Sequence, residues 1–263
     1  MNNKDAALML EAKNIHYQVA DKQILSAVDI EVKAGEVLGL IGPNGAGKSS
    51  LLKCIASLLP LDQGQCFFRG TDVSALDAKE RGKNIGYLAQ NAIANWPLKA
   101  NKLIALGRLP HQGMVRKLSD SDQLAIDKAV KSAEVEHLLD RVVTTLSGGE
   151  LTRVMLARLL ATEPELILAD EPIASLDPYH QLHILQILKQ HAENGGAAII
   201  VLHDLNHAAH FCDRLLLLHE GKVVANDKPE NVLTDEILAA AYQVECARFQ
   251  EQGDFYIVPK QRL

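Results

Sequence analysis

The sequence predicts an α/β fold: a mainly parallel sheet, an N-terminal antiparallel β subdomain and a helical insertion. Three observations carry this. An apolar run, Val37 to Ile41, leads into Gly42-Pro43-Asn44-Gly45-Ala46-Gly47-Lys48-Ser49 and then into Ser50 to Ala56, whose apolar positions recur as on a helix. That is strand, glycine-rich turn and helix start. Ahead of it, Leu8 to Glu36 alternates apolar and polar residues in short runs, as in Val28-Asp29-Ile30-Glu31-Val32, the pattern of antiparallel strands. After it, Leu166 to Ala169 and Ala197 to Leu202 read as buried strands, while Asn91 to Asp140 turns helical.

Composition narrows the function. At 263 residues and 48% hydrophobic, the chain is globular and long enough for a real core, as one large domain or two small ones. With 27 Lys and Arg against 33 Asp and Glu, the net charge of -6 lacks the basic stripe of a nucleic-acid binder. Cys54, Cys66, Cys212 and Cys246 lie far apart with no C-x-x-C spacing, so neither a zinc knuckle nor a disulfide framework is expected, and a reducing compartment fits. The start of the chain carries Lys4 and Asp5 and no apolar leader segment, and no apolar run is long enough to span a bilayer. Any membrane role is expected to come through a partner.

The turn at Gly42 to Ser49 has the residue types that a polyphosphate needs. Glycines let the chain curl until several backbone N–H groups converge on the anion, and Lys48 adds a compact positive charge. The helix that follows offers unpaired N–H groups and its positive dipole end, and the Ser49 hydroxyl can ligate Mg2+ bridging the outer phosphates. A nucleoside triphosphate cradle is the reading. Tyr17, where the chain leaves the first strand, can stack on a base or simply pack. Cys66-Phe67-Phe68 and Ile85 to Leu88 read as strands, and the second runs into Gln90, whose amide can meet both a metal-bound water and a phosphate oxygen.

Within the helical stretch, Ala100 to Leu106 and Asp122 to Ala133 carry helical spacing, punctuated by Pro97, Pro110 and Gly113; Trp96 in the loop before them suits partner contact. Leu146-Ser147-Gly148-Gly149-Glu150 opens the amphipathic run Leu151 to Leu160. Ser147 with Glu150 three residues on is a capping box, and a helix start with two glycines and a hydroxyl is also an anion site. The strand at Leu166 ends in Asp170-Glu171, adjacent carboxylates that point apart and divide labour: Asp170 toward Mg2+, Glu171 toward the attacking water. Asp177 caps the helix Tyr179 to His191, with Pro178 at its first position. His203 sits at a strand's carboxyl end, where α/β sheets bind ligands; with His207 and His210 it lacks the carboxylate or Cys to complete a zinc set. Leu215 to Leu218 and Val223 to Ala225 flank a hairpin turn at Glu220-Gly221, Pro229 to Ala241 reads as helix, and Phe255 to Val258 as a short last strand.

Taken together, these segments resemble the nucleotide-binding subunits of ABC transporters over nearly the whole chain. The resemblance implies a P-loop NTPase core in the ABC ATPase fold, one domain over 1–263 with a helical subdomain inserted at about 91–160. It makes Gly42 to Ser49, with Ser50 beside it, the Walker A loop; Tyr17 the aromatic stacking position; Gln90 the Q-loop glutamine; Leu146 to Glu150 the signature sequence; Leu166 to Asp170 with Glu171 the Walker B strand and catalytic carboxylate; Ser175-Leu176-Asp177 the D-loop; and His203 the switch histidine. Two residues depart from the family: Glu150 stands where Gln is usual, adding negative charge near the phosphate, and Ile173 replaces Thr after Glu171-Pro172.

A finer likeness is to type II importers of ferric siderophores, haem or cobalamin. It rests on Ala105-Leu106-Gly107-Arg108 with Pro110-His111, on Tyr179-His180-Gln181, and on His203-Asp204-Leu205-Asn206. What it implies is an ATPase using ATP and Mg2+, working as a homodimer in which each copy's signature helix closes over the other's nucleotide. Permease subunits would hold it at the cytoplasmic face of the inner membrane, with a periplasmic binding protein as indirect partner. Soluble cofactor assembly and transport of another substrate remain alternatives. A non-catalytic scaffold fits poorly with the Asp170-Glu171 pair.

Overall fold

The computed structural model describes residues 7–90, 96–112, 117–174, 176–251 and 254–263. Asn91 to Asn95 at the start of the expected helical stretch, Gly113 and Ser175 lie outside them. In chain order the elements are β1 (Leu8–Val19), β2 (Lys22–Lys33), β3 (Val37–Ile41), α1 (Lys48–Ile55), β4 (Gln63–Phe68), β5 (Thr71–Asp72), α2 (Ala78–Asn84), β6 (Ile85–Leu88) and α3 (Ala100–Ala105), which tightens into a 3-10 helix at Leu106–His111. Then come α4 (Asp120–Ser132), α5 (Gly148–Leu160), β7 (Leu166–Asp170), α6 (Pro178–Glu193), β8 (Ala197–Val201), α7 (Leu205–Phe211), β9 (Arg214–His219), β10 (Lys222–Asp227), α8 (Pro229–Val232), α9 (Asp235–Tyr242), β11 (Val244–Glu251) and β12 (Asp254–Arg262). The chain divides into two compact units, Met1–Ala75 with Lys189–Leu263, and Leu76–Leu188.

In the first unit, β1 pairs antiparallel with β2 on one side and β4 on the other, as the alternation in Leu8 to Glu36 predicts. Register shifts along β1 explain why that alternation comes in short runs rather than one long one. β3 pairs in parallel with β8 and β9, with Val37 opposite Ala198 and Leu38 opposite Arg214. Every residue of β3 and β8 is buried, which is why both read as continuous apolar runs. β9 and β10 form the expected hairpin; Glu220 and Gly221 both take positive φ, 48° and 75°, the geometry of a two-residue turn that matches strand twist.

Two C-terminal expectations need correction. Pro229 to Ala241 is two helices, because Leu233 leaves helical geometry and the Thr234 hydroxyl caps α9 by accepting from Ile237 N at 3.3 Å. The last strand is longer and has a partner: β12 pairs antiparallel with β11, which the sequence hid because a register shift at Glu245/Cys246 interrupts its alternation. Asn206 on α7 clamps this hairpin, accepting from Ile257 N at 2.7 Å and donating to Ile257 O at 3.1 Å. All four cysteines are free and buried, and burial pushes the Cys54 and Cys66 thiols up to about 12, leaving them inert.

The second unit holds β6 and β7 in parallel, Ile85 opposite Leu166, beside a helical core. Leu103, Ile104, Ile126, Val130, Leu138 and Val154 from α3, α4, α5 and their connections pack together there, each worth roughly 1.5–3 kcal/mol on burial. The Ser119 hydroxyl accepts from Asp122 N and caps α4, whose first residue, Asp120, lies two positions before the Asp122 expected from the apolar spacing. The phrase Gly107-Arg108 with His111 has a structural job here. A Cβ at Gly107 would meet the Arg158 carbonyl oxygen at 2.2 Å, so only glycine lets the 3-10 helix approach α5. Arg108, 6% exposed, donates to Asp122 at 2.8 Å, to Ala161 O and to Glu163, while the His111 ring meets Thr162 O at 2.7 Å.

Candidate functional site

The first unit carries the cradle. β3 ends at Ile41, and Gly42 turns the chain with φ 143°, where a Cβ would meet the Leu218 carbonyl oxygen at 2.0 Å. Gly47, at φ 101°, precedes α1 directly, and a Cβ there would meet the Ile24 carbonyl oxygen at 2.9 Å. Both positions require glycine for two separate reasons, backbone sign and room. Lys48 is only 6% exposed, and its ammonium donates to Gly42 O at 2.7 Å and Pro43 O at 3.0 Å, so the charge is held over the turn that precedes it. The first turn of α1 has no acidic residue and no side-chain cap. Nothing on the helix itself opposes an anion at its positive end.

His203 belongs to the same unit and the same sheet edge. Leu40 lies opposite Val201 in parallel register, which brings the carboxyl end of β8 alongside that of β3. His203 stands between β8 and α7, outside the helix, whose start Asp204 caps by accepting from Asn206 and His207 N. Tyr17 lies within β1 opposite Leu25, half-buried, with the strand running two residues past it.

The second unit carries the carboxylates. β6 and β7 run parallel with Leu88 opposite Ala169, so Gln90 and the Asp170-Glu171 pair emerge at one edge. Asp170 is 2% exposed and accepts from the Tyr87 hydroxyl at 3.2 Å; burial raises the Tyr87 hydroxyl above its ordinary value, which keeps it a donor. Glu171 has left-handed φ of 50°, uncommon for a non-glycine residue, and accepts from the Gln90 side-chain amide at 2.5 Å. Two residues picked out separately in the sequence thus touch. The adjacent carboxylates are separated in environment, Asp170 sunk in the strand end and Glu171 on the bend beyond it.

In the same unit the capping box at Ser147 is complete. The Ser147 hydroxyl accepts from Glu150 N at 3.3 Å, and Glu150 accepts from Ser147 N at 2.7 Å. That backbone bond, foremost, holds the Glu150 carboxyl below the usual range. Gly148 and Gly149 open α5, and space lies open beside Gly148. Asp177 is engaged locally: it accepts from His180 N at 3.0 Å and pairs with the His180 ring at 2.9 Å, which together hold its carboxyl low. Sequence reasoning passed over two participants, Tyr87 on Asp170 and Arg141 on Glu150. A tyrosine in an apolar strand and an arginine in a helical linker carry no motif, so neither had a signal to find.

A glycine-constrained turn at the end of one parallel strand, another parallel strand ending in a buried aspartate, and a glycine-opened helix are features of the ATP-binding cassette class. The family model described as ABC transporter matches residues 25–174, more than half of the chain, and the chain belongs to that family. It is 40% identical over 243 residues to the hemin import ATP-binding protein HmuV of Pseudomonas fluorescens, covering 90% of this chain and 93% of that protein. It is 37% identical over 218 residues to the ferric enterobactin transport ATP-binding protein FepC of Escherichia coli, covering 82% and 80%. Among solved structures it resembles an ATP-binding cassette determined as a dimer in a post-hydrolysis state with ADP and Pi, at 30% identity and a TM-score of 0.74, covering 84% of this chain and 99% of that one. A nucleotide-free ATP-binding cassette from an ABC transporter is similar at 25% identity and a TM-score of 0.77, covering 88% and 97%.

Proposed function

We propose that this chain is the ATP-hydrolysing subunit of an importer for an iron complex, haem foremost. The observation that carries the reading is the cradle: a glycine-constrained turn with a buried lysine ahead of a helix whose first turn holds no competing acid. The names of its relatives, hemin import and ferric enterobactin transport ATP-binding proteins, support the cargo. The chain is read as one ABC ATPase domain over 1–263, with helices of about 91–160 as its inserted subdomain.

In this reading the backbone from Gly42 to Ser49 wraps the β- and γ-phosphates, with Ser50 and the half-buried Tyr17 completing the nucleotide contacts. Lys48 exchanges its two carbonyl partners for phosphate oxygens. The donor set of Ser49 hydroxyl, Gln90 amide oxygen and Asp170 carboxylate is all oxygen, the kind Mg2+ selects, and those residues would hold it. When bound, Mg2+ neutralises charge on the phosphate oxygens. Glu171 orients the attacking water and takes its proton, leaving Gln90 as it does so, and His203 steadies the transferring phosphoryl group. The Ser147, Gly148 and Gly149 helix start of a second copy, with Glu150 and Asp177, closes over the γ-phosphate. Among the described residues no helix is long and apolar enough to cross a membrane, so permease subunits supply the path and hold the ATPase at the cytoplasmic face of the inner membrane. Trp96, 74% exposed, suits contact with them, and a periplasmic binding protein delivers the cargo.

The test is uptake in cells. Inactivating this chain's gene, then following labelled haem, ferric siderophore and cobalamin separately, is expected to abolish haem uptake. Unchanged uptake of all three would overturn the reading.

A further inference from the structure

The residue before the signature turn that no motif marks is Arg141. Its backbone is fixed on two sides: Arg141 N donates to Leu138 O at 2.9 Å, and Arg141 O accepts from Ala100 N at 2.9 Å at the start of α3. From there the guanidinium forks. One nitrogen meets Glu150 Oε1 at 2.6 Å, the other donates to Thr145 O at 2.9 Å, in the turn that leads to Ser147. Glu150's other oxygen is already taken by Ser147 N at 2.7 Å. Both carboxylate oxygens are therefore engaged and turned back along the chain.

This arrangement answers the charge problem that Glu150 poses. A carboxylate in the first turn suits the helix itself, because it complements the positive dipole end. The same carboxylate opposes any anion that approaches that end, and the family's usual glutamine would not. Arg141 removes the conflict, pairing with Glu150 while leaving the N–H groups of Gly148 and Gly149, which have no carbonyl within the helix to bond, aimed outward. Arg141 is 43% exposed and Glu150 23%, so the pair is partly screened and its stabilisation of the fold is small. Its effect falls on the approach of a phosphate.

We infer that Arg141 is a positioning residue for nucleotide binding: it neutralises Glu150 so that the start of α5 can receive a triphosphate. The inference rests on the proposed ATPase function. It assigns no contact between Arg141 and the nucleotide; the arginine acts through Glu150.

The experiment is a double-mutant cycle on the full chain, measuring KM and kcat for ATP in the wild type, Arg141→Ala, Glu150→Gln and the double variant. Arg141→Ala is expected to raise KM roughly fivefold with kcat within about twofold, the scale of one charge at a helix end. In the Glu150→Gln background the same substitution is expected to shift KM less than about twofold, because no negative charge remains to neutralise. Arg141→Lys, which keeps the charge, is expected to recover more than half of the loss. An equal rise in KM in both backgrounds would assign Arg141 a merely structural or direct role and overturn the inference, as would no rise in either. Absence of ATP turnover in the wild type is the separate sign that the underlying function is wrong.

Discussion

Replacing Asp122 by asparagine removes the charge that faces Arg108 inside the second unit. Arg108 is 6% exposed and Asp122 9%, and their contact is 2.8 Å. Hydrogen bonds from Ser119 and the Arg108 guanidinium hold the Asp122 carboxyl down to about 2, from 3.8, a difference worth roughly 2 kcal/mol at neutral pH. Breaking a buried pair on one side costs about 3–5 kcal/mol, because the remaining charge is left uncompensated. Arg108 keeps Ala161 O and Glu163 as partners, which puts the expected loss near the lower figure, about 3 kcal/mol, or roughly 6–12 °C in Tm for a chain of this size. The lowered carboxyl stabilises the fold above its unfolded value and ceases to as pH falls from about 4 toward 2. The gap between wild type and Asp122→Asn should therefore be constant above pH 4 and narrow below it. Circular dichroism melts at several pH values, with Glu163→Gln as a control at a 53% exposed partner, measure this. A variant melting within 2 °C of wild type at pH 7 would refute the claim that this pair ties α4 to the 3-10 helix at Leu106–His111.

Lys48→Ala should lower ATP turnover by roughly three to five powers of ten, read as phosphate release, with Tm measured alongside; turnover within tenfold of wild type would remove Lys48 from its role. Asn206→Ala deletes both bonds to Ile257 and should loosen the β11–β12 hairpin by about 1–3 kcal/mol. Hydrogen exchange is the assay: the amides of β11 and β12 should exchange faster while those of β3 and β8 keep wild-type rates, and unchanged hairpin protection would count against the clamp.

What the sequence made legible follows the periodicities. The strands bounding the cradle were visible because burial on both faces leaves unbroken apolar runs, as in Val37 to Ile41 and Ala197 to Val201. The helix starts at Ser147 and Pro178 were visible because caps are written in short polar patterns. The C-terminal hairpin was half visible: Cys246 and Ile257 are its buried anchors, and the outer residues Phe249, Tyr256 and Val258 are exposed, so apolar character does not mark an inner face. Long-range polar partners had no local signature. Tyr87 on Asp170 spans 83 residues and Gln90 on Glu171 spans 81, and only the parallel register of β6 on β7 brings them together. The glycine of Gly107-Arg108 drew notice as a likeness to importers. Its physical reason, the Arg158 carbonyl behind it, appears only in three dimensions.

Two copies are expected to share ATP between them, and light scattering on Glu171→Gln reports whether they do. Carboxamide in place of carboxylate keeps the size of the side chain but removes the base. With ATP and Mg2+ the variant should run at twice the monomer mass, at the monomer mass with ADP, and at the monomer mass with ATP when Ser147→Arg is added to block the helix start. A Glu171→Gln chain that binds ATP at saturation yet stays monomeric, while wild-type turnover per molecule is unchanged on dilution, would contradict that expectation.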